Sequence, residues 1–293
     1  MITAGQILQY LASGITLGSI YAIVGLGFTI IYSVTGIINF AQGEFVMLGG
    51  MLAFLFLSAL KLPLALSFIL AVLIVALVGI LLERLAIRSA RPASGGVISL
   101  IIITIGASIF IRGIAGQLWG KDAVPIPPFS GDAPLPLFGA AILPQSLWII
   151  GITLMVMVAL HLFFAYTVLG KALRACAINR QAASLVGIDT RIMSLISFAL
   201  SAALGAMGGI IIAPITLTSY DVGVMLGLKG FVAAALGGFS SQLGTVVGGI
   251  TLGVLESMGA GLISSAYKDA IALVVLFLVL FARSGWRRGD GGE

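Results

Sequence analysis

The side chains of this chain that could do chemistry are few, and the informative ones stand in apolar surroundings. The run Ile38-Asn-Phe-Ala-Gln-Gly-Glu44 sets Asn39, Gln42 and Glu44 inside a long hydrophobic region. Glu256 stands in Gly249-Ile-Thr-Leu-Gly-Val-Leu-Glu-Ser-Met-Gly259, with Lys229 and Lys268 in neighbouring segments as the cations able to pair with it. An ionised residue at a bilayer centre costs about 2.5–3.5 kcal/mol on insertion scales, so such groups face the bundle interior and find partners. Two readings of 38–44 stand together. It is a helix break lining the inner part of a pathway, or an inner turn with Asn39 near the next helix start and Glu44 in its first turn, where an acid complements the helix dipole. For Glu256 the alternatives are a structural ion pair and a direct substrate contact. Tyr220 and Asp221 precede a short apolar segment and border the entrance.

Covalent and metal chemistry find no constellation. Gly170-Lys171 is followed by Ala172, and Ala165 stands where a P-loop needs its first glycine, so the chain has no P-loop for nucleotide phosphates. His-Glu-x-x-His and Gly-x-Ser-x-Gly do not occur, and a single His with a single Cys cannot build a structural zinc site. His161 and Cys176 are read as structural. The expectation is a chain that is not an enzyme and binds no metal or cofactor itself.

The elements that must position these groups are membrane helices. Hydrophobic residues make up 60% of the chain and charged residues 9%, against about 25% charged in soluble domains. Several apolar runs reach the roughly 20 residues that span a bilayer core. The expected fold is all-α, a polytopic helical bundle forming one transmembrane domain over residues 1–293. Hydropathy sets spans at about 7–34, 43–60, 63–83, 97–116, 145–166, 191–213, 226–239, 244–263 and 267–283, and eight to ten helices is the expected range. Segment 226–239 is short and flanked by glycines, as in a broken or re-entrant helix.

The excess of Lys and Arg is a topology signal, not a nucleic-acid footprint. Arg84, Arg88 and Arg91 share one loop, Lys171, Arg174, Arg180 and Arg191 another, and Arg283, Arg287 and Arg288 the tail. Such clusters stay in the cytoplasm. The N-terminus is then external, the C-terminus cytoplasmic, and 117–144, with six of the nine prolines, the main external loop. The first basic residue is Lys61, so the charged start of a cleavable signal peptide is missing and the first segment is expected to remain a span. The polar stretch Gly170–Arg191, rich in helix formers and closed by Gly187-Ile-Asp-Thr190, has to face water.

Two patterns bear on assembly. Gly27-Phe28, the double glycine at 49–50 and Arg84 are echoed by Gly230-Phe231, the double glycine at 248–249 and Arg283 at an offset near 199 residues. Transporters are often built from such repeats, with the pathway between them. Gly14/Gly18, Gly205/Gly209, Gly244/Gly248 and Gly249/Gly253 have the small-xxx-small spacing that lets helix backbones approach.

The runs Thr16-Leu-Gly-Ser-Ile-Tyr-Ala22, Ile37-Ile-Asn-Phe-Ala-Gln-Gly-Glu44, Gly170-Lys-Ala-Leu-Arg-Ala175 with Ala183-Ser-Leu-Val-Gly-Ile188, and Gly230-Phe-Val-Ala-Ala-Ala-Leu-Gly-Gly238 resemble the inner-membrane permeases of branched-chain amino acid ABC importers, most closely the LivH-type subunit. The resemblance covers nearly the whole chain in order and spacing. Gln42 departs from the His expected in many such permeases, which bears on the substrate more than on the family.

The resemblance implies a bacterial-type plasma-membrane protein working with a LivM-type second permease, two cytoplasmic ATPases that bind ATP and Mg, and an external substrate-binding protein. It implies a coupling loop over 170–191, with Gly170, Lys171, Arg174, Asn179, Arg180, Ala183, Gly187 and Ile188 as candidate ATPase-contact residues. Candidate pathway residues are Tyr21, Asn39, Gln42, Glu44, Lys229 and Glu256. The implied cargo is a branched-chain or other hydrophobic amino acid. Urea or short amides, an ion-coupled transporter using Glu256 or Glu44, and a passive channel remain the alternatives.

Overall fold

A computed structural model describes residues 4–90, 96–137 and 140–287. Arg91, Arg288 and the tail beyond it lie outside the described residues. The chain runs through α1 (Ala4–Thr35), α2 (Gln42–Phe54), α3 (Leu64–Leu82), the short α4 (Arg88–Ala90), α5 (Gly96–Trp119), the strands β1 (Leu135–Leu137) and β2 (Ala140–Ile142), α6 (Pro144–Tyr166), α7 (Val168–Ile178), α8 (Arg180–Leu185), α9 (Thr190–Thr216), α10 (Val222–Gly237), α11 (Gln242–Leu262) and α12 (Lys268–Arg287). Among the described residues, seven helices are long and apolar enough to cross a membrane. They are α1, α2 with its π-helical end, α3 with α4, α5, α6, α9 and α11. Each of the nine expected segments coincides with a helix, the other two being α10 and α12. The chain is a polytopic helical membrane protein.

α10 is the short one. Sixteen residues rise about 24 Å, less than the roughly 30 Å of a hydrocarbon core. It starts at Val222, four residues before the expected boundary, and ends on Gly238 and Phe239, both at positive φ. α2 also starts inside the bundle, because Gln42 reaches Ser201 of α9 at the level of Gly27, two turns before α1 ends. The segment between α1 and α2 therefore dips into the protein.

Glycine decides how closely the helices approach. α1 is buried over most of its length and crosses α11 with glycines on both faces: a Cβ on Gly14 or Gly18 would meet the backbone of Val254 or Ile250, and one on Gly249 or Gly253 the backbone of Ala22 or Gly18. Gly205 and Gly209 of α9 admit Phe45 and the Val46 backbone of α2, while Gly244 and Gly248 of α11 admit Gly237 and Ala233 of α10. All four expected glycine pairs serve contacts within one chain. Lipid gives helices no hydrophobic reason to associate, so close approach and dispersion carry the packing.

The internal echo has a structural counterpart. α1–α2–α3 and α10–α11–α12 are each three helices joined by short turns, and their second helices begin at Gln42 and Gln242. The halves meet where Phe28 packs edge-on against Phe231, 5.8 Å between centroids, and where the Thr29 and Thr245 hydroxyls lie 2.7 Å apart.

The loop 117–144 is not wholly irregular. Its two strands pair antiparallel, Leu135 opposite Ile142, and Gln9 of α1 ties the hairpin down through Ala141 at 2.8 and 3.1 Å. Two three-residue strands carry too little alternation to read from sequence. The loop is also bonded to the α9–α10 connection, with reciprocal Val124–Thr218 backbone hydrogen bonds of 2.8 and 3.0 Å.

Candidate functional site

The break at 36–41 follows from its residues. Gly36 takes φ +71 and ends α1; Asn39 then turns its side chain back, its Oδ1 accepting from the Ala41 N–H at 3.1 Å. Thr104 of α5 accepts from the Phe40 N–H at 3.2 Å. Glu44 falls in the first turn of α2. The local geometry is thus the inner turn with a first-turn acid. Asn39 and Gln42 are spent on holding it: Gln42 Nε2 donates to the Ser201 carbonyl at 3.1 Å, and the Ser201 hydroxyl lies 2.5 Å from Gln42 Oε1.

Asn39 Nδ2 is buried without a hydrogen-bond partner, and so is one oxygen of Glu44. Its Oε1 accepts from the Ser108 hydroxyl at 2.7 Å, while Oε2 has no hydrogen-bond partner although the residue is 1% exposed. It lines a cavity of about 290 Å³ between α1, α2, α5 and α10, together with Ser108, Arg112 and Phe28, Phe40 and Phe231. Sequence reasoning missed Ser108 and Arg112. Their signal was present: Thr104, Ser108 and Arg112 recur at i, i+4 and i+8, one polar stripe along the middle of a mainly apolar helix.

Glu256 sits in a different place. It is fully buried, and its Oε1 accepts from Lys229 Nζ at 2.7 Å; Lys229 also pairs with Asp269 at 2.8 Å, and Lys268 Nζ lies 3.7 Å from Glu256. Both expected partners are there, and Asp269 joins them. The Tyr21 ring faces Lys229 Nζ at 5.5 Å. Tyr21, Lys229 and Glu256 form one charged knot joining α1, α10, α11 and α12, away from the Glu44 cavity.

The polar stretch, rich in helix formers, folds as two helices, α7 and α8. Asn179 is extended, at φ −152 and ψ 105, and its Oδ1 caps α8 by accepting from Gln181 and Ala182 N–H at 3.0 Å. An Asn that caps more favourably than it continues a helix explains the break. Thr167 caps α7, and Asp189 caps α9. Gly187 adopts φ +89, the left-handed turn that closes α8. Gly170 has no room for a Cβ against the backbone of Phe163 and Phe164, so it fixes the sharp α6–α7 corner.

Gly170, Leu173, Cys176 and Ala183 are the buried side of this α7–α8 unit, with Ile188 half-buried. Lys171 and Arg174 are exposed, and so are Ile178, Leu185 and Val186, each more than three-quarters exposed. Arg180 turns inward, donating to the Val34 carbonyl at 3.3 Å and the Thr190 carbonyl at 3.0 Å. It braces the unit against the end of α1. Arg174 rests over the Phe164 ring at 6.0 Å.

Burial pushes the Cys176 thiol up, with Arg180 opposing. A raised thiol stays protonated further above neutrality, and only the thiolate is nucleophilic. Maleimide labelling of the native protein should therefore be slow at neutral pH and accelerate only well into the alkaline range. Mass spectrometry showing rapid, complete labelling at neutral pH would contradict this packing.

This is a membrane-embedded permease architecture: a tightly crossed bundle with a largely apolar cavity that holds Glu44 and Arg112, and an exposed helical unit at one end. The chain belongs to the family of permease components of branched-chain amino acid transport systems, whose model matches residues 10–280. It is 35% identical to the high-affinity branched-chain amino acid transport system permease protein LivH of Salmonella typhimurium, over 93% of this chain and 92% of that protein. The corresponding permease protein BraD of Pseudomonas aeruginosa is 33% identical, with 94% of each chain covered. The probable branched-chain amino acid transport permease protein LivH of Methanocaldococcus jannaschii is 27% identical over 92% of this chain and 89% of its own length.

Proposed function

We propose that this chain is the LivH-type permease of an ATP-driven importer that carries branched-chain amino acids into a bacterial cytoplasm across the inner membrane. It pairs with a LivM-type permease, and two ATPases dock on the α7–α8 unit. A substrate-loaded binding protein docks at the opposite end, on the 117–144 loop and the 214–222 connection, which are bonded to each other through Val124 and Thr218. Residues 1–293 act as a single transmembrane domain, and the chain itself binds no cofactor, ATP and Mg being held by the partners. ATP binding and hydrolysis move α7–α8, and the spans rock between outward and inward openings.

The observation that carries this reading is the α7–α8 surface. Ile178, Leu185 and Val186 are exposed apolar residues on the same unit as the exposed Lys171 and Arg174, a unit anchored to the bundle by Arg180. Exposed apolar patches rimmed by polar groups mark protein contact sites. The direct contacts are Lys171, Arg174 and these apolar residues, with Gly170, Asn179, Arg180, Ala183, Gly187 and Ile188 giving the unit its shape.

Leu185→Asp is expected to abolish ATPase co-purification, since a charge would enter the apolar contact. Gly187→Pro is expected to leave the ATPase bound and uncouple uptake, because proline holds φ near −65° where this turn needs +89°. Retained uptake in both variants would remove α7–α8 from the coupling path.

A further inference from the structure

The Glu44 cavity carries two side chains of opposite charge that face each other across it without touching. Glu44 and Arg112 line the same space, yet no ion pair joins them within 4.0 Å. Glu44 keeps one buried oxygen unpartnered while the other is held by Ser108. A buried carboxylate oxygen without a donor is costly; Glu83 and Glu256 also keep such oxygens, and of these three acids Glu44 alone lines this cavity. Arg112 offers a planar fork suited to a carboxylate.

The rest of the lining is apolar. Phe28, Phe40 and Phe231 form a cluster, with Phe231 centroids 5.8 Å from Phe28 and 5.7 Å from Phe40. The cavity, about 290 Å³, is at the lower end of the range for small-molecule sites. Its α2–α10 wall is closed by glycine: Gly43 of α2 and Gly223 and Gly227 of α10 meet backbone to backbone, so the helices cross without side chains between them.

We propose that this cavity is a transient intramembrane site for a zwitterionic α-amino acid with an apolar side chain. Glu44 takes the ammonium, Arg112 the carboxylate, Ser108 positions Glu44, and the phenylalanines take the side chain. This deepens the importer reading above and rests on it. It also separates the cargo classes, because a neutral molecule such as urea needs neither charge.

The test uses the complete importer, with its second permease, ATPases and binding protein, in proteoliposomes supplied with leucine. Uptake per ATP hydrolysed is compared for the unaltered chain, Glu44→Gln, Arg112→Gln and Arg112→Lys. Each Gln variant should lower the ratio about tenfold or more, the scale of one charged hydrogen bond, and Arg112→Lys should restore part of it. Unchanged ratios in both Gln variants would overturn the site. A second measurement covers variants that fail to assemble: Ile105→Cys lines the same cavity, and leucine should protect it from thiol reagents while urea does not. No protection by leucine, or protection by urea alone, would also overturn it. Loss of ATP-driven uptake in the unaltered importer would instead strike the importer reading, and leucine protection of Ile105→Cys would still decide the site.

Discussion

Lys229→Met is expected to cost about 3–5 kcal/mol of stability, because it leaves the fully buried Glu256 without its nearest cation. Lys268 does not take over. It lies 3.7 Å away with a side chain 41% exposed, so water competes for it and screens the contact. The other bridge, to Asp269, contributes little to the loss, since Asp269 is mostly exposed and returns to solvent. Breaking one side of a buried pair is worse than removing both, so Lys229→Met with Glu256→Leu should recover most of the stability. Denaturation in detergent, followed by helical circular dichroism, measures all three proteins. A single variant as stable as the parent, or a double variant no better than the single, would show that the knot is not structural.

Gly253→Val is expected to prevent α1 and α11 from crossing. A Cβ at Gly253 falls on the backbone of Gly18 and against the Gly14 carbonyl. Overpacking costs about 1–3 kcal/mol where side chains can shift, and more here because the obstacle is main chain. The folded fraction recovered by size-exclusion chromatography should collapse. Gly106→Ala and Gly113→Ala on α5 are the controls: no atom lies within 4 Å of an added Cβ, so they should be neutral or gain the roughly 0.5–1 kcal/mol that alanine has over glycine in a helix. Similar yields for Gly253→Val and these controls would contradict the crossing.

Hydropathy and glycine spacing made much of the fold legible. Nine apolar segments announced nine helices, and Gly14/Gly18 and Gly249/Gly253 announced a close crossing without saying that they face one another. That pairing is a three-dimensional fact with no local trace. Lys229 and Lys268 were readable as partners of Glu256, since a buried acid needs a cation; Asp269, in the first turn of α12, was not.

The candidate site was less legible. Asn39, Gln42 and Glu44 look alike in sequence, three polar groups in one apolar run. The structure divides them: Asn39 bonds the turn, Gln42 bonds α9, and Glu44 alone lines the cavity. Arg180 likewise reads as one more exposed base until the carbonyls of Val34 and Thr190 are seen to hold it. Backbone acceptors leave no mark in sequence, so side chains that bind them cannot be told in advance from those that stay free.

The most direct test of the central claim is leucine uptake by membrane vesicles holding this chain with its second permease, ATPases and binding protein. Uptake should require ATP on the ATPase side, continue when an uncoupler collapses the proton gradient, and cease with Leu185→Asp in this chain. Uptake that persists without ATP and disappears with the uncoupler would contradict an ATP-driven permease and point to ion-coupled transport instead.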